Sequence, residues 1–134
     1  MFTPTNFMAI GIGAAAGAIC RWMLGLWLNQ PGWLLPWGTL AANLLGGYFV
    51  GLLLGTLAMY PEAPMWLKLM LVTGFLGGLT TFSTFSGEAV GLLERGAYLS
   101  AFGYIGFSLA GSLALTCLGF ATASLLSSLG QAGS

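Results

Sequence analysis

Residues 74–87 read GFLGGLTTFSTFSG, and this stretch decides how the rest of the chain is interpreted. Two adjacent glycines followed by hydroxyl, β-branched and aromatic residues make a poor continuous helix. The stretch nevertheless lies inside an apolar segment that is long enough to cross a membrane. We therefore predict a membrane-spanning helix that is broken near its middle, between Gly77 and Thr81. Irregular backbone at membrane depth is tolerated only where protein or a cavity covers it.

The composition of the chain indicates an all-α integral membrane protein. Of its 134 residues, 57% are hydrophobic and 4% are charged, with zero formal net charge, whereas roughly a quarter of the residues of a soluble domain are charged. The length excludes a multi-domain enzyme, and the charge balance excludes an electrostatic nucleic-acid binder. We expect no enzyme activity, because no nucleophile–base pair is visible.

The uncharged intervals between the charged residues locate the membrane spans. A helix needs about 20 apolar residues to cross the hydrocarbon, and turn residues at 29–32 and Pro36 divide the longest interval. We predict a single membrane domain over residues 1–134, with four helices at about 5–28, 37–59, 66–93 and 97–127. A cleaved signal peptide is not expected, because no basic residue precedes the first apolar run. The expected location is a cell membrane, which the chain crosses several times.

Basic residues give almost no signal for the orientation of this bundle. Lys68 flanks one side of the predicted bundle, whereas Arg95 and, more weakly, Arg21 flank the other. Basic residues in short loops set the direction of insertion. A weak but real bias is one explanation. The other is dual topology, in which copies insert both ways and pair antiparallel.

Glycines recur at four-residue spacing on two predicted helices. Gly13 and Gly17 form one row, and Gly47, Gly51 and Gly55 form the other. Small residues in such rows let helix backbones come close in lipid. Tight packing with no further meaning explains most of these glycines. We still expect an oligomer, because four short helices can hardly enclose a pathway alone.

Polar residues inside spans are costly and mark candidate functional positions. On the second helix, Thr39 and Asn43 share a face. On the fourth helix, hydroxyl groups recur every four residues in one stripe, which consists of Tyr104, Ser108, Ser112 and Thr116. Back-bonding to its own helix explains any single serine or threonine. Four hydroxyls in register, together with an amide, favour a pathway of hydrogen-bond donors.

Two aromatic residues and one carboxylate complete the candidate site. Phe82 and Phe85 are three residues apart and face the same way after the break. Aromatic ring edges carry positive potential, so edges turned into a narrow path can stabilise a small anion, although such rings more often contact lipid or core. Freed carbonyls at a helix break commonly hold a cation. Glu88 is the only carboxylate at membrane depth and lacks the partner that acid–base chemistry requires.

Three motifs in the chain resemble those of the Fluc (CrcB) family of fluoride channels. They read GAxxR at residues 17–21, GTLxxNxxG at 38–46 and GFxGGxTTFSTFxxE at 74–88, and the last is highly specific. The departure is Gly47-Tyr48, where the resemblance leads us to expect Ser-Phe. The resemblance implies an antiparallel, dual-topology homodimer with two fluoride pores, located in the bacterial inner membrane.

The resemblance also implies roles for individual residues. Phe82 and Phe85 correspond to an aromatic box along each pore, and Asn43 corresponds to a donor to fluoride. The polar track of the family corresponds to Tyr104, Ser108 and Ser112, with Thr39 nearby. A structural sodium ion on the dimer axis is implied, held by the backbone carbonyls of Gly77 and Thr80 of both subunits. Glu88 corresponds to a position near the pore. Arg21 either raises the potential of an entry vestibule or has a structural role.

A fluoride-selective channel for passive export of fluoride is therefore the predicted function. Neutral donors and ring edges replace the hydration of the ion without holding it too tightly to leave. The alternative is a small multidrug-type, proton-coupled exporter. That class needs a carboxylate in the first span, where this chain has Arg21. A third reading is an assembly subunit with no pathway, in which the hydroxyl stripe is dispensable.

Overall fold

The computed structural model describes residues 1–32 and 34–133, and every regular element in these ranges is a helix. Four helices are long and apolar enough to cross a membrane, and we number them in chain order: Pro4–Leu28, Trp37–Ala58, Met65–Glu94 and Tyr98–Ala132. The prediction of four membrane helices is confirmed. The fourth helix runs on to Ala132, beyond the predicted end at residue 127.

The third helix is interrupted, as the opening stretch predicts, but not where its glycines stand. The helix begins as an α-helix at Met65–Lys68, continues as a π-helix over Leu69–Leu76 and returns to α geometry over Gly77–Leu79. Thr80 is extended, with φ −85° and ψ 154°, and the α-helix resumes at Ser83–Glu94. The break therefore comes after the two adjacent glycines, which remain helical.

The glycines that precede the break serve helix packing instead. A Cβ atom on Gly74 would lie 2.7 Å from the carbonyl oxygen of Ile10, and one on Gly78 would lie 2.5 Å from that of Ala14. From the other side, a Cβ on Gly17 would collide with the backbone of Phe75. The first helix and the first half of the third helix thus approach backbone to backbone.

The second and fourth helices form a second close seam. A Cβ on Gly51 would meet the Thr116 carbonyl oxygen, and a Cβ on Gly119 would meet that of Tyr48. A Cβ on Gly55 would lie 2.8 Å from the Cβ of Ala123. Both predicted glycine rows are therefore explained by packing within one chain, and they supply no argument for an oligomer.

The second half of the third helix packs on the fourth helix around a small core. This core consists of Leu40, Ala89, Leu92, Ala101 and Tyr104, and the Tyr104 side chain is completely buried. A second cluster lies on the other side of the break and joins Ala42 to Leu76 and Leu79. The break is thus held between two packed regions, which fixes the elements that border it.

Candidate functional site

A groove of about 560 Å³ lies beside the break, between the second, third and fourth helices. Its lining includes most of the residues that the sequence singles out, namely Asn43, Gly77, Thr80, Phe82, Phe85, Ser108, Ser112 and Thr116. Helix packing therefore brings the motifs of the second and third helices together with the hydroxyl stripe of the fourth helix. Thr39, Tyr104, Arg21 and Glu88 lie outside this lining.

Asn43 joins the second helix to the break. Its Oδ1 accepts a hydrogen bond from the backbone N–H of Thr81 at 2.8 Å, and its Nδ2 donates to the Thr81 carbonyl at 3.0 Å. One side chain therefore satisfies both backbone groups of a residue that has left the helix, as buried polar groups require. The sequence could not reveal this partner, because Thr81 is 38 positions away.

Arg21 braces the same break from the first helix. Its Nε donates to the carbonyl oxygen of Gly78 at 3.0 Å. The Thr80 side chain also holds the end of the helical turn, because its Oγ1 donates to the Leu76 carbonyl at 2.8 Å. Arg21 therefore contacts the backbone next to the break within the same chain.

The hydroxyl stripe of the fourth helix is not uniform. The Thr116 Oγ1 lies 2.9 Å from the Gly47 carbonyl oxygen and 2.8 Å from that of Ser112, so its proton is held by the backbone. Ser108 is buried at 7% exposure, yet its Oγ has no hydrogen-bond partner among residues 1–32 and 34–133. A buried hydroxyl without a partner is costly, and this one belongs to a residue that lines the groove.

The two phenylalanines lie side by side at the groove. The ring centroids of Phe82 and Phe85 are 5.8 Å apart, with an angle of 52° between the ring planes. The Phe82 side chain is 79% exposed at the surface of the chain, whereas Phe85 is half-buried. The prediction that both rings face one way is consistent with their contact.

A second polar group consists of Tyr104, Glu88 and Thr39, and its Tyr104 ring contacts Phe85 of the groove lining. The Tyr104 hydroxyl donates to Glu88 Oε1 at 3.2 Å, and its ring centroid lies 5.2 Å from that of Phe85. Thr39 is buried and interacts with both Glu88 and Tyr104. Glu88 also lines a second cavity of about 560 Å³, next to the loop between the first two helices.

Sequence reasoning missed Asn29, whose side chain contacts this polar group at Thr39. Its Oδ1 accepts from the backbone N–H of Gly38 at 2.6 Å, and its Nδ2 donates to the Thr39 hydroxyl at 3.4 Å. An available signal was its position, because asparagine directly after a helix commonly caps the end. The same residue therefore ends the first helix and fixes the start of the second.

Comparison with known proteins places the chain in a family. Residues 8–120 match the family described as CrcB-like protein, Camphor Resistance (CrcB). A Bordetella petrii protein named fluoride-specific ion channel FluC is 63% identical over 123 residues, which cover 92% of this chain and 94% of that protein. A protein of the same name from Bordetella avium is 63% identical over 126 residues, or 94% and 98% of the two chains.

More distant relatives carry the same name. The Tolumonas auensis protein is 52% identical over 121 residues, which cover 90% of this chain and 95% of that protein. These names describe an ion channel, which is not an enzyme, and they do not favour the proton-coupled exporter. With four helices able to span a bilayer, this is a multi-pass membrane protein. The matches extend over nearly the whole chain, and the chain belongs to the CrcB family.

Proposed function

We propose that the chain is a fluoride-specific ion channel that conducts passively through the groove beside the break. The observation that carries this proposal is the Ser108 hydroxyl, which is buried in the groove without a partner among the described residues. A strong hydrogen-bond acceptor in the groove would satisfy it. The relatives named fluoride-specific ion channel FluC support fluoride as that acceptor.

The other groove residues fit a small, strongly hydrated anion. Asn43 uses one N–H of its amide on Thr81, and an amide nitrogen carries two, so the second is free to donate into the groove. The touching rings of Phe82 and Phe85 supply edges with positive potential. These donors are neutral, so an ion is held closely enough to replace water and weakly enough to leave.

We place the second polar group on the same route. Phe85 lines the groove on one side and contacts Tyr104 on the other. Tyr104 in turn donates to Glu88, and Glu88 lines the cavity next to the loop between the first two helices. The proposed route therefore runs from Ser112 and Ser108, past Phe85, to Tyr104, with Thr39 beside it and Glu88 at its mouth.

An antiparallel homodimer is part of the proposal. The Phe82 ring and the apolar residues Leu109 and Leu113 line the groove and are exposed on one chain, which leaves the groove open along its length. A second copy would close it. The near balance of Lys68 against Arg95 permits insertion in both directions, which an antiparallel pair requires.

A structural sodium ion at the break is also proposed, and the local backbone fits it. The Thr81 N–H donates to Asn43, and the Thr84 N–H donates to the Thr81 hydroxyl at 3.2 Å. The carbonyls of Gly77 and Thr80 therefore lack the donors that a continuous helix would give them. Such freed carbonyls are sodium ligands in membrane proteins, and two from each copy would offer four around the dimer axis. A bound sodium ion would neutralise carbonyl dipoles and hold the copies together.

Fluoride efflux from liposomes tests the function. Purified protein is reconstituted, a potassium gradient with valinomycin sets the membrane potential, and an ion-selective electrode follows fluoride release. We expect rapid fluoride efflux with no comparable chloride efflux, and we expect it to need no proton gradient. Absent efflux, or equal efflux of both halides, would refute the proposal.

A further inference from the structure

The contact between Asn43 and the break is more than a groove-lining position requires. A donor to an anion needs only an N–H directed into the groove, whereas Asn43 also forms a two-point contact with the Thr81 backbone. Gly46, one turn later on the same helix, leaves room for the Thr80 methyl group, since a Cβ there would meet Thr80 Cγ2. The second helix is therefore shaped to hold the break at two adjacent residues.

This contact determines which backbone carbonyls of the break are freed. In a continuous helix the Thr81 N–H would donate to the Gly77 carbonyl. Asn43 Oδ1 accepts that N–H instead. The extended Thr80 that results also moves the next turn out of register, and the Thr84 N–H then donates to the Thr81 hydroxyl instead of the Thr80 carbonyl.

The carbonyls next to these two accept hydrogen bonds from side chains. The carbonyl of Gly78 accepts from Arg21 Nε at 3.0 Å, and that of Thr81 accepts from Asn43 Nδ2. The carbonyls of Gly77 and Thr80 receive neither side chain. Side chains from the first two helices thus satisfy two carbonyls of the break and leave two others for a ligand.

We infer that Asn43 is a positioning residue for a monovalent-cation site at the break, as well as a donor in the groove. The inference rests on the proposed function, in which the Gly77 and Thr80 carbonyls bind sodium. One amide then connects the two sites, because its Oδ1 and one N–H hold Thr81 while the other N–H is directed to the anion. Cation binding stabilises the backbone that orients Asn43, and such coupling acts equally in both directions.

The test measures sodium affinity without measuring flux. A ligand that binds only the folded protein stabilises it by RT ln(1 + [L]/Kd), so the thermal midpoint begins to rise near the dissociation constant and then increases with the logarithm of the ligand concentration. The thermal midpoint is followed while sodium replaces N-methyl-D-glucamine at constant ionic strength, without fluoride, and we expect that of the unaltered chain to rise with sodium. Asn43→Ala loses two hydrogen bonds at the break, so the dissociation constant for sodium obtained from this dependence should increase by about tenfold or more.

Two further variants keep the test decisive. Asn43→Ser retains a small polar group but is too short to bond both backbone groups of Thr81, so it should show the same rise even if Asn43→Ala does not fold. Ser112→Ala is the matched control, because Ser112 lines the same groove without a hydrogen bond to the break. Its dissociation constant for sodium should equal that of the unaltered chain.

The outcomes separate this inference from the proposed function. Equal dissociation constants for sodium in the folded Asn43 variants and the unaltered chain would overturn the inference. A thermal midpoint of the unaltered chain that does not change with sodium would also overturn it. Fluoride and chloride efflux from the same preparations test the function independently. A selective fluoride channel with sodium-independent stability would retain the function and remove the cation site.

Discussion

The second and fourth helices form both the close seam and part of the groove beside the break. The two regions differ in whether their polar groups are hydrogen-bonded. In the seam, Gly51 and Gly119 bring the backbones into contact, and the Thr116 hydroxyl is held by two carbonyls. In the groove, Ser108 is buried without a partner among the described residues, and Phe82 is exposed. The Thr116 hydroxyl of the seam is satisfied within one chain, whereas the groove leaves a buried hydroxyl without a partner among the described residues.

Adding one methyl group to the seam should have the largest effect on stability. In Gly51→Ala the new Cβ would collide with the Thr116 carbonyl and lie 3.0 Å from the Phe120 amide nitrogen. Because backbone atoms cannot move aside cheaply, we expect a loss of about 3 kcal/mol in the free energy of unfolding. Unfolding in mixed micelles, followed by circular dichroism, measures it.

The matched control for that substitution lies on the fourth helix. A Cβ on Gly106 would meet no atom within 4 Å, so Gly106→Ala should leave the free energy of unfolding unchanged or raise it slightly through better helix propensity. Equal losses from both substitutions would show that the seam is not tightly packed.

Removing the guanidinium group of Arg21 tests whether a side chain of the first helix stabilises the break. Arg21→Met retains most of the side-chain length but leaves the Gly78 carbonyl without its charged donor. We expect a loss of about 2 kcal/mol in the free energy of unfolding. Cys20→Ala, at the neighbouring exposed position, is the control and should cost little. If Arg21→Met is as stable as that control, the bond to Gly78 is not structural.

The lower end of the hydroxyl stripe should behave as part of the seam. Thr116→Val keeps the shape of the side chain and removes the hydroxyl that bonds the Gly47 carbonyl. Loss of a satisfied hydrogen bond of this kind costs about 1 kcal/mol, which the same unfolding measurement detects. A cost of zero would show that this hydrogen bond does not stabilise the seam.

A substitution at Ser108, in the middle of the stripe, should change fluoride efflux strongly and the free energy of unfolding least. Ser108→Ala removes a hydroxyl that has no partner within the described part of the chain, so the free energy of unfolding should stay within about 0.5 kcal/mol of that of the unaltered chain. Fluoride efflux, in contrast, should fall by about tenfold, because a charge-assisted hydrogen bond in the pathway is lost.

Unchanged fluoride efflux from liposomes that contain folded Ser108→Ala protein would show that Ser108 is not part of the pathway. A large loss of stability would instead assign Ser108 to the packed seam. The Thr116 variant serves as the comparison in both measurements, because it lies two turns away on the same stripe.

The membrane helices could be predicted because hydropathy and charge spacing act locally along the chain. The four observed helices begin within one residue of their predicted starts, at Pro4, Trp37, Met65 and Tyr98. The break was predicted between Gly77 and Thr81, and it lies at the end of that range, at Thr80 and Thr81. Gly77 and Gly78 stay helical because Gly78 packs against Ala14, a contact that only the folded chain contains.

The candidate site was predictable as a set of residues and not as a set of contacts. Regular spacing put Ser108 and Thr116 on one stripe, but spacing gives no information about which carbonyl each hydroxyl meets. Asn43 reaches Thr81 across 38 positions and Arg21 reaches Gly78 across 57. Such pairs depend on how the helices pack, so sequence periodicity cannot identify them.

The fourth helix has 35 residues, which at 1.5 Å per residue makes it about 52 Å long. The hydrocarbon core of a bilayer is only about 30 Å thick, so its final turns, which carry Ser127, Ser128 and Gln131, extend past the hydrocarbon even when the helix is tilted. In an antiparallel pair one such end projects from each face of the membrane. An antibody against this end would then label sealed vesicles from outside and, after permeabilisation, label the inner face equally.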